Sequence, residues 1–104
     1  MPPNCWSLYL IECQNGAIYT GISPDVDARY AVHLAGKGAR YTLINRPLRL
    51  IGHIPFQDRR RAAQAEVAFK KLTKYQKQDR IGEFQKSYPE PLTDHRDLIY
   101  GEDL

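Results

Sequence analysis

Long apolar runs are missing from this 104-residue chain. None approaches the roughly 20 residues that span a bilayer, so no segment is expected to cross a membrane. The opening MPPNCWS has neither a basic n-region nor a long apolar stretch, and secretion is not expected. Cysteine is scarce as well. Cys5 and Cys13 match no zinc spacing and have no second pair, and a disulfide between them is the alternative to free thiols. Two reduced thiols in a cytoplasmic protein are the expectation, and no sequence neighbour marks either as a nucleophile. Internal repeats and low-complexity tracts are absent too, and the length suits one domain able to bury a modest core.

What is present is ordinary in bulk and uneven in detail. Hydrophobic content of 42% and charged content of 26% suit a globular protein and assign no activity. Fifteen Lys/Arg against 12 Asp/Glu leave a net charge of +3. Residues 1–86 hold 14 Lys/Arg and 7 acids, a balance of +7, while residues 87–104 hold one Arg and five acids, a balance of −4. The basic part suits a polyanion, although many solvated surfaces are equally basic.

Trp6 to Cys13 alternates so that Ser7, Tyr9 and Ile11 share one face and Leu8, Leu10 and Glu12 the other. Apolar residues on both faces predict a mostly buried strand. Gln14-Asn15-Gly16 supplies turn chemistry, since Asn-Gly accepts the positive φ angles of tight hairpins. Ala17 to Ile22 is the return strand, and antiparallel pairing would bring Tyr9 and Tyr19 together. Gly21 permits a bulge or a close approach.

Ser23-Pro24-Asp25 opens a helix with acids at Asp25 and Asp27, running to about Ala35 and ending at Gly36. Arg29 and His33, four apart, project from one face. Residues 35–42, AGKGARYT, form a glycine-rich loop carrying Lys37, Arg40 and Tyr41. Without a Gly-Lys-Ser/Thr ending, and with no helix expected after it, this is not a P-loop. Leu48 to Ile54 reads as a third strand ended by Pro55. Asp58 caps a second helix whose apolar stripe is Ala62, Ala65, Phe69 and Leu72, with Glu66 on the flank of that stripe. Lys74 to Lys86 forms a further helix anchored by Tyr75, Ile81 and Phe84, with Gly82 weakening it. The order β-β-α-β-α-α predicts a small α/β domain over residues 1–86, a three-stranded antiparallel sheet flanked by helices. Residues 87–104 read as an acidic tail, extended or loosely docked.

A tyrosine in the first strand (Leu8-Tyr9-Leu10), Tyr19-Thr20-Gly21 in the second, Arg29 and His33 on the next helix, a glycine-rich loop ending Arg-Tyr-Thr, a strand, then a helix with one glutamate: this ordered set resembles the GIY-YIG nuclease family, especially its small stand-alone members. The resemblance covers about Ser7 to Leu72 and implies divalent-metal-dependent cleavage of phosphodiester bonds, usually in DNA. It departs from the family pattern in three places. Leu8 and Leu10 flank the first tyrosine, Ala28-Arg29-Tyr30 stands where paired arginines often occur, and no asparagine corresponds to the one that some members place after the glutamate.

Hydrolysis of a phosphodiester needs an activated water, a charge sink for the transition state, and help for the leaving oxygen. Under the resemblance, Glu66 would anchor one Mg²⁺ or Mn²⁺, hard ions that prefer oxygen; its plainer fate is an exposed helix glutamate. Arg29 would bind the scissile phosphate through its guanidinium fork, or else pair with Asp25. His33 would orient or deprotonate a water or a phenol, or else be a histidine satisfied by a carbonyl. Tyr9 is favoured as the base or water-orienting group and Tyr19 as a phosphate or water contact, although a phenol of pKa ~10 is a poor base at neutral pH unless a metal or cation lowers it. The plainer reading makes both core tyrosines.

DNA contacts beyond the site would come from Lys37, Arg40 and Tyr41 in the loop, from Arg59, Arg60 and Arg61, and from Lys70, Lys71, Lys74 and Lys77. Such contacts touch phosphates and confer little sequence specificity. No recognition helix or added DNA-binding domain appears in the sequence, which argues against a site-specific homing enzyme. Small size and the resemblance imply instead that DNA, whether duplex, branched or single-stranded, is selected by shape, with branches, flaps and single-stranded junctions as the features read. A metal-dependent DNA endonuclease therefore leads. A non-catalytic nucleic-acid-binding module on the same scaffold stands second, and a partner-binding adaptor third.

Overall fold

The computed structural model describes residues 5–87. Seven elements follow one another: β1 (Trp6–Cys13), β2 (Ile18–Ser23), α1 (Val26–Leu34), α2 (Arg40–Ile44), β3 (Pro47–Phe56), α3 (Arg59–Lys70) and α4 (Lys74–Ser87). The strands form one antiparallel sheet in the order β2-β1-β3. The expected three-stranded antiparallel sheet flanked by helices is therefore the fold. Among the described residues no helix is long and apolar enough to cross a membrane.

β1 lies in the middle of the sheet and is apolar on both faces for that reason. Leu8 and Leu10, with Ile18 of β2, face a core completed by Phe69 of α3 and Ile81 of α4. Tyr9, Ile11 and Cys13 face the other way, packed with Tyr19, Val26, Tyr30 and Leu50. Burying each Leu or Ile contributes about 1.5–3 kcal/mol, so β1 ties both layers together. Cys5 and Cys13 are buried free thiols, as expected.

The hairpin loop spans three residues. Cys13 N–H donates to Ala17 O (2.9 Å), Gly16 N–H donates to Cys13 O (2.9 Å), and Asn15 Oδ1 accepts from Ala17 N–H (3.1 Å). Of the pair Asn15-Gly16, only the glycine takes positive φ, at 87°, the geometry of a three-residue loop closed by a left-handed residue. The resulting register places Tyr9 opposite Gly21 and Ile11 opposite Tyr19. The two tyrosines are thus diagonal neighbours on one face, with ring centroids 6.3 Å apart.

Asp25 caps α1 by accepting from Ala28 N–H, and Asp58 caps α3 by accepting from Arg61 N–H. Gly36, with φ at 77°, follows the end of α1. Three features depart from the sequence expectation. A short helix, α2, takes up the last three residues of the expected glycine-rich loop, so that Arg40 and Tyr41 lie on a helix; at one turn it has no side-chain cap to announce it. β3 runs through both Pro47 and Pro55, which its position at the sheet edge tolerates. On α4, Ile81 is buried but the expected anchor Tyr75 is exposed, and Lys77 occupies the covered face instead. Beyond Ser87, the acidic tail lies outside the described residues.

Candidate active site

The site grows from the face of the sheet that carries Tyr9. The phenol is 1% exposed, and its hydroxyl lies 2.9 Å from Nε2 of His33. His33 is buried on the inner face of α1, one turn beyond Arg29, whose side chain is exposed. Its other ring nitrogen, Nδ1, is 2.6 Å from the hydroxyl oxygen of Thr42 on α2. That hydroxyl in turn donates to Ala39 O at 3.0 Å. A buried chain of polar groups thus runs from β1 through α1 to the start of α2.

Two glycines make room for this chain. A Cβ on Gly21 would run into the Tyr9 hydroxyl and stand 2.5 Å from Cζ. A Cβ on Gly38 would stand 2.5 Å from His33 Nδ1 and 2.9 Å from Cγ. What Gly21 permits is therefore the close approach of a phenol. Tyr19 leans over the same imidazole with centroids 5.1 Å apart, and its outer side stacks on Tyr41 at 6.2 Å and 22°. Asn15 Nδ2 donates to the Tyr41 hydroxyl at 3.0 Å, which holds this ring against the hairpin.

Electrostatics divide the groups. Burial, reinforced by Tyr19 and by the Glu66 charge, pushes the Tyr9 hydroxyl up to about 12, against the pull of the Arg29 guanidinium that reaches it. Burial likewise raises Tyr19, with the Glu66 charge adding to the rise and the charges of Lys70 and Arg29 opposing it. His33 is lowered, first by burial and then by the Arg29 charge. At neutral pH, then, Tyr9 holds its proton and His33 is an unprotonated imidazole.

The structure brings Tyr9, Tyr19 and His33 into mutual ring contact, with the charges of Arg29 and Glu66 acting on both phenols. The pairing of Arg29 with Asp25 does not form; Asp25 caps the helix with its side chain. His33 is satisfied by two hydroxyls rather than by a carbonyl. Glu66 sits on α3 with its carboxylate 3.3 Å from Lys70 Nζ, and its side chain keeps 23% of its surface open. Among the described residues no group of three or more His, Cys, Asp and Glu side chains could hold a metal ion. A lone, partly open carboxylate still fits a hard divalent cation that keeps its waters and shares a substrate phosphate.

Of the expected DNA-contacting residues, Lys37, Arg40 and Tyr41 are exposed beside Gly38 and Thr42, and Lys70 is exposed beside Glu66. Lys74 is exposed near the hairpin loop. Arg59 and Arg60 stand at the far end of α3, about 10 Å of helix from Glu66, with Arg59 over the Trp6 ring. Lys77 is not available to DNA: it is 9% exposed, and its Nζ donates to Ile18 O at 3.0 Å across the β2 edge. Sequence reasoning missed Thr42 and Gly38. Both lie within AGKGARYT, and a buried threonine carries no periodic signal there.

A three-stranded sheet whose hairpin tyrosines meet a helix arginine and histidine, with a glutamate on a later helix, is the architecture of a GIY-YIG domain. The family model described as the GIY-YIG catalytic domain matches residues 5–79, and the chain belongs to this nuclease family. The chain is 50% identical over 72 residues to a UPF0213 protein of Cupriavidus pinatubonensis, covering 69% of this chain and 80% of that one. It is 49% identical over 72 residues to a UPF0213 protein of Neisseria meningitidis serogroup A, covering 69% and 79%. The solution NMR structure of the protein EF2693 from E. faecalis is similar at 35% identity and a TM-score of 0.57, over 81% of this chain and 90% of that one. Members of the family generally use a divalent metal and act on DNA.

Proposed function

We propose that this protein is a divalent-metal-dependent endonuclease that hydrolyses phosphodiester bonds in DNA and selects its substrate by shape rather than by sequence. The observation that carries the reading is the Tyr9 hydroxyl held 2.9 Å from an imidazole nitrogen within the fields of Arg29 and Glu66. A solitary buried phenol could not serve as a base near neutral pH. A phenol in contact with an unprotonated imidazole has no need of a lowered pKa, because it can pass its own proton on as it takes one from water.

The roles follow from that relay. Water attacking phosphorus gives its proton to the Tyr9 oxygen while the Tyr9 proton moves to His33 Nε2. Arg29, the exposed cation beside Tyr9, binds the phosphate and opposes the negative charge that builds on it. Tyr19, wedged between His33 and Tyr41, orients the phosphate or the water. Glu66 would hold Mg²⁺ or Mn²⁺, and the ion, when bound, supplies Lewis-acid stabilisation of the transition state and of the leaving oxygen. Lys37, Arg40, Lys70 and Lys74 would grip backbone phosphates on either side.

The test incubates purified protein with branched, single-stranded and duplex DNA in Mg²⁺, Mn²⁺ or EDTA, beside Glu66→Ala and Arg29→Ala. Cleavage by wild type in metal, lost in EDTA and in both variants, is expected. Equal cleavage by all three proteins would sink the assignment and point to a contaminant. Binding without cleavage of every substrate would favour the non-catalytic binding module.

A further inference from the structure

We infer that Thr42 is a positioning residue that fixes His33 in the tautomer protonated on Nδ1, so that the nitrogen facing Tyr9 is bare. A count of hydrogens assigns the tautomer. Three short contacts link four groups: Tyr9 hydroxyl to His33 Nε2 at 2.9 Å, His33 Nδ1 to Thr42 Oγ1 at 2.6 Å, and Thr42 Oγ1 to Ala39 O at 3.0 Å. Ala39 O is a carbonyl and can only accept, and the threonine hydroxyl has one hydrogen to give. If that hydrogen goes to Ala39 O, Nδ1–H must donate to Thr42, and Nε2 accepts from Tyr9. Every contact then holds one hydrogen.

The opposite tautomer fails the same count. With Nδ1 bare, Thr42 would turn its hydrogen to the imidazole and leave two oxygen lone pairs facing each other at 3.0 Å. Nε2–H would then donate to Tyr9, whose own hydrogen loses its acceptor in a site where the phenol is 1% exposed. Unmatched buried polar groups are costly, so the first arrangement wins. Gly38 serves the same end, because a side chain there would displace the Nδ1 edge of the ring from Thr42.

The groups facing the imidazole are the Tyr9 and Tyr19 phenols from β1 and β2, Thr42 from α2, and Arg29 from its own helix. Arg29 is the cation in that set and favours the uncharged ring. Thr42 chooses which nitrogen of that ring is free. In catalysis the inference rests on the relay proposed above, where a proton on Nε2 would block transfer from Tyr9. The tautomer itself is independent of that reading.

The experiment reads the tautomer directly. Long-range ¹H–¹⁵N spectra of the full-length protein, labelled in its histidine rings, are recorded above the pH at which His33 loses its charge. Thr42→Ser, which keeps the hydroxyl, and Thr42→Val, which keeps the shape, are measured beside wild type. Wild type and Thr42→Ser are expected to show Nδ1–H, and Thr42→Val a shift of the His33 signals toward Nε2–H. On a DNA substrate, Thr42→Val should lose about 10²-fold or more in kcat with little change in KM, and Thr42→Ser should recover most of it. Nε2–H in wild type overturns the inference without recourse to any variant, and so does an unshifted spectrum in folded Thr42→Val. A spectrum that shifts as expected in a protein that cleaves no DNA upholds the Thr42 clamp and rejects the nuclease reading.

Discussion

Gly38 stands so close to His33 that a Cβ on it would lie 2.5 Å from Nδ1. Its φ is not in the left-handed region, so the backbone would accept alanine and only the imidazole refuses it. Gly38→Ala should therefore cost about 1–3 kcal/mol through overpacking, read from denaturant unfolding, and should lower cleavage by displacing the ring from Tyr9 and Thr42. An unchanged unfolding midpoint together with an unchanged rate would mean that the loop moves aside freely.

The low pKa of His33 sets a direction for pH dependence. Burial and Arg29 hold its folded-state pKa below the ordinary 6.5, so the unfolded chain binds the proton more readily. Its contribution to stability is present above about pH 6.5 and is lost as pH falls through the lower folded value. Cleavage should fall over the same range, because a protonated Nε2 cannot accept from Tyr9. A pH series of unfolding midpoints and of kcat/KM checks both, and His33→Gln should flatten this limb of the stability curve.

Glu66 should matter far more to chemistry than to folding. Its pair with Lys70 is partly open to solvent, at 23% and 58% side-chain exposure, and surface ion pairs contribute about 0–1 kcal/mol. Glu66→Gln should leave the unfolding midpoint nearly unchanged while removing metal-dependent cleavage. Isothermal titration with Mn²⁺ in the presence of DNA should show the loss of ion uptake in the same variant.

Lys74 and Lys77, three residues apart, should behave as different kinds of residue. Lys74 is exposed, so Lys74→Ala should lower the dependence of DNA affinity on log salt by about one unit with little change in stability. Lys77 is buried with its ammonium on Ile18 O, and a hydrogen bond from a charged group contributes about 1.5–3 kcal/mol. Lys77→Met should weaken the fold by an amount of that order and leave the salt slope alone. Salt titrations of binding, run beside thermal unfolding, separate the two.

Much of the scaffold is legible in the sequence, because local chemistry sets it. The two-sided apolar pattern of β1, the caps at Asp25 and Asp58, the end of α1 at Gly36 and the stripe Ala62-Ala65-Phe69 all act within a few residues of themselves. The α4 anchors are harder to read. Lys77, Ile81 and Phe84 lie at i, i+4 and i+7 and so share a face, but a lysine within a buried stripe hides the period, and Tyr75 is apolar enough to stand in for it.

Local chemistry along the chain is enough to read a small α/β fold, a hairpin with two tyrosines, and Arg29, His33 and Glu66 following in order. Long-range packing is needed to see that the Tyr9 hydroxyl and His33 are hydrogen-bond partners, that Thr42 sits behind the imidazole, and that Gly21 and Gly38 lack side chains because those two rings fill the space. The physical reason is distance along the chain. Tyr9 and His33 are 24 residues apart and His33 and Thr42 are 9 apart, so no local periodicity links them. Their contacts exist because α1 and α2 bring His33 and Thr42 to the face of the sheet that carries Tyr9, and a buried hydroxyl must then find the nitrogen nearest to it.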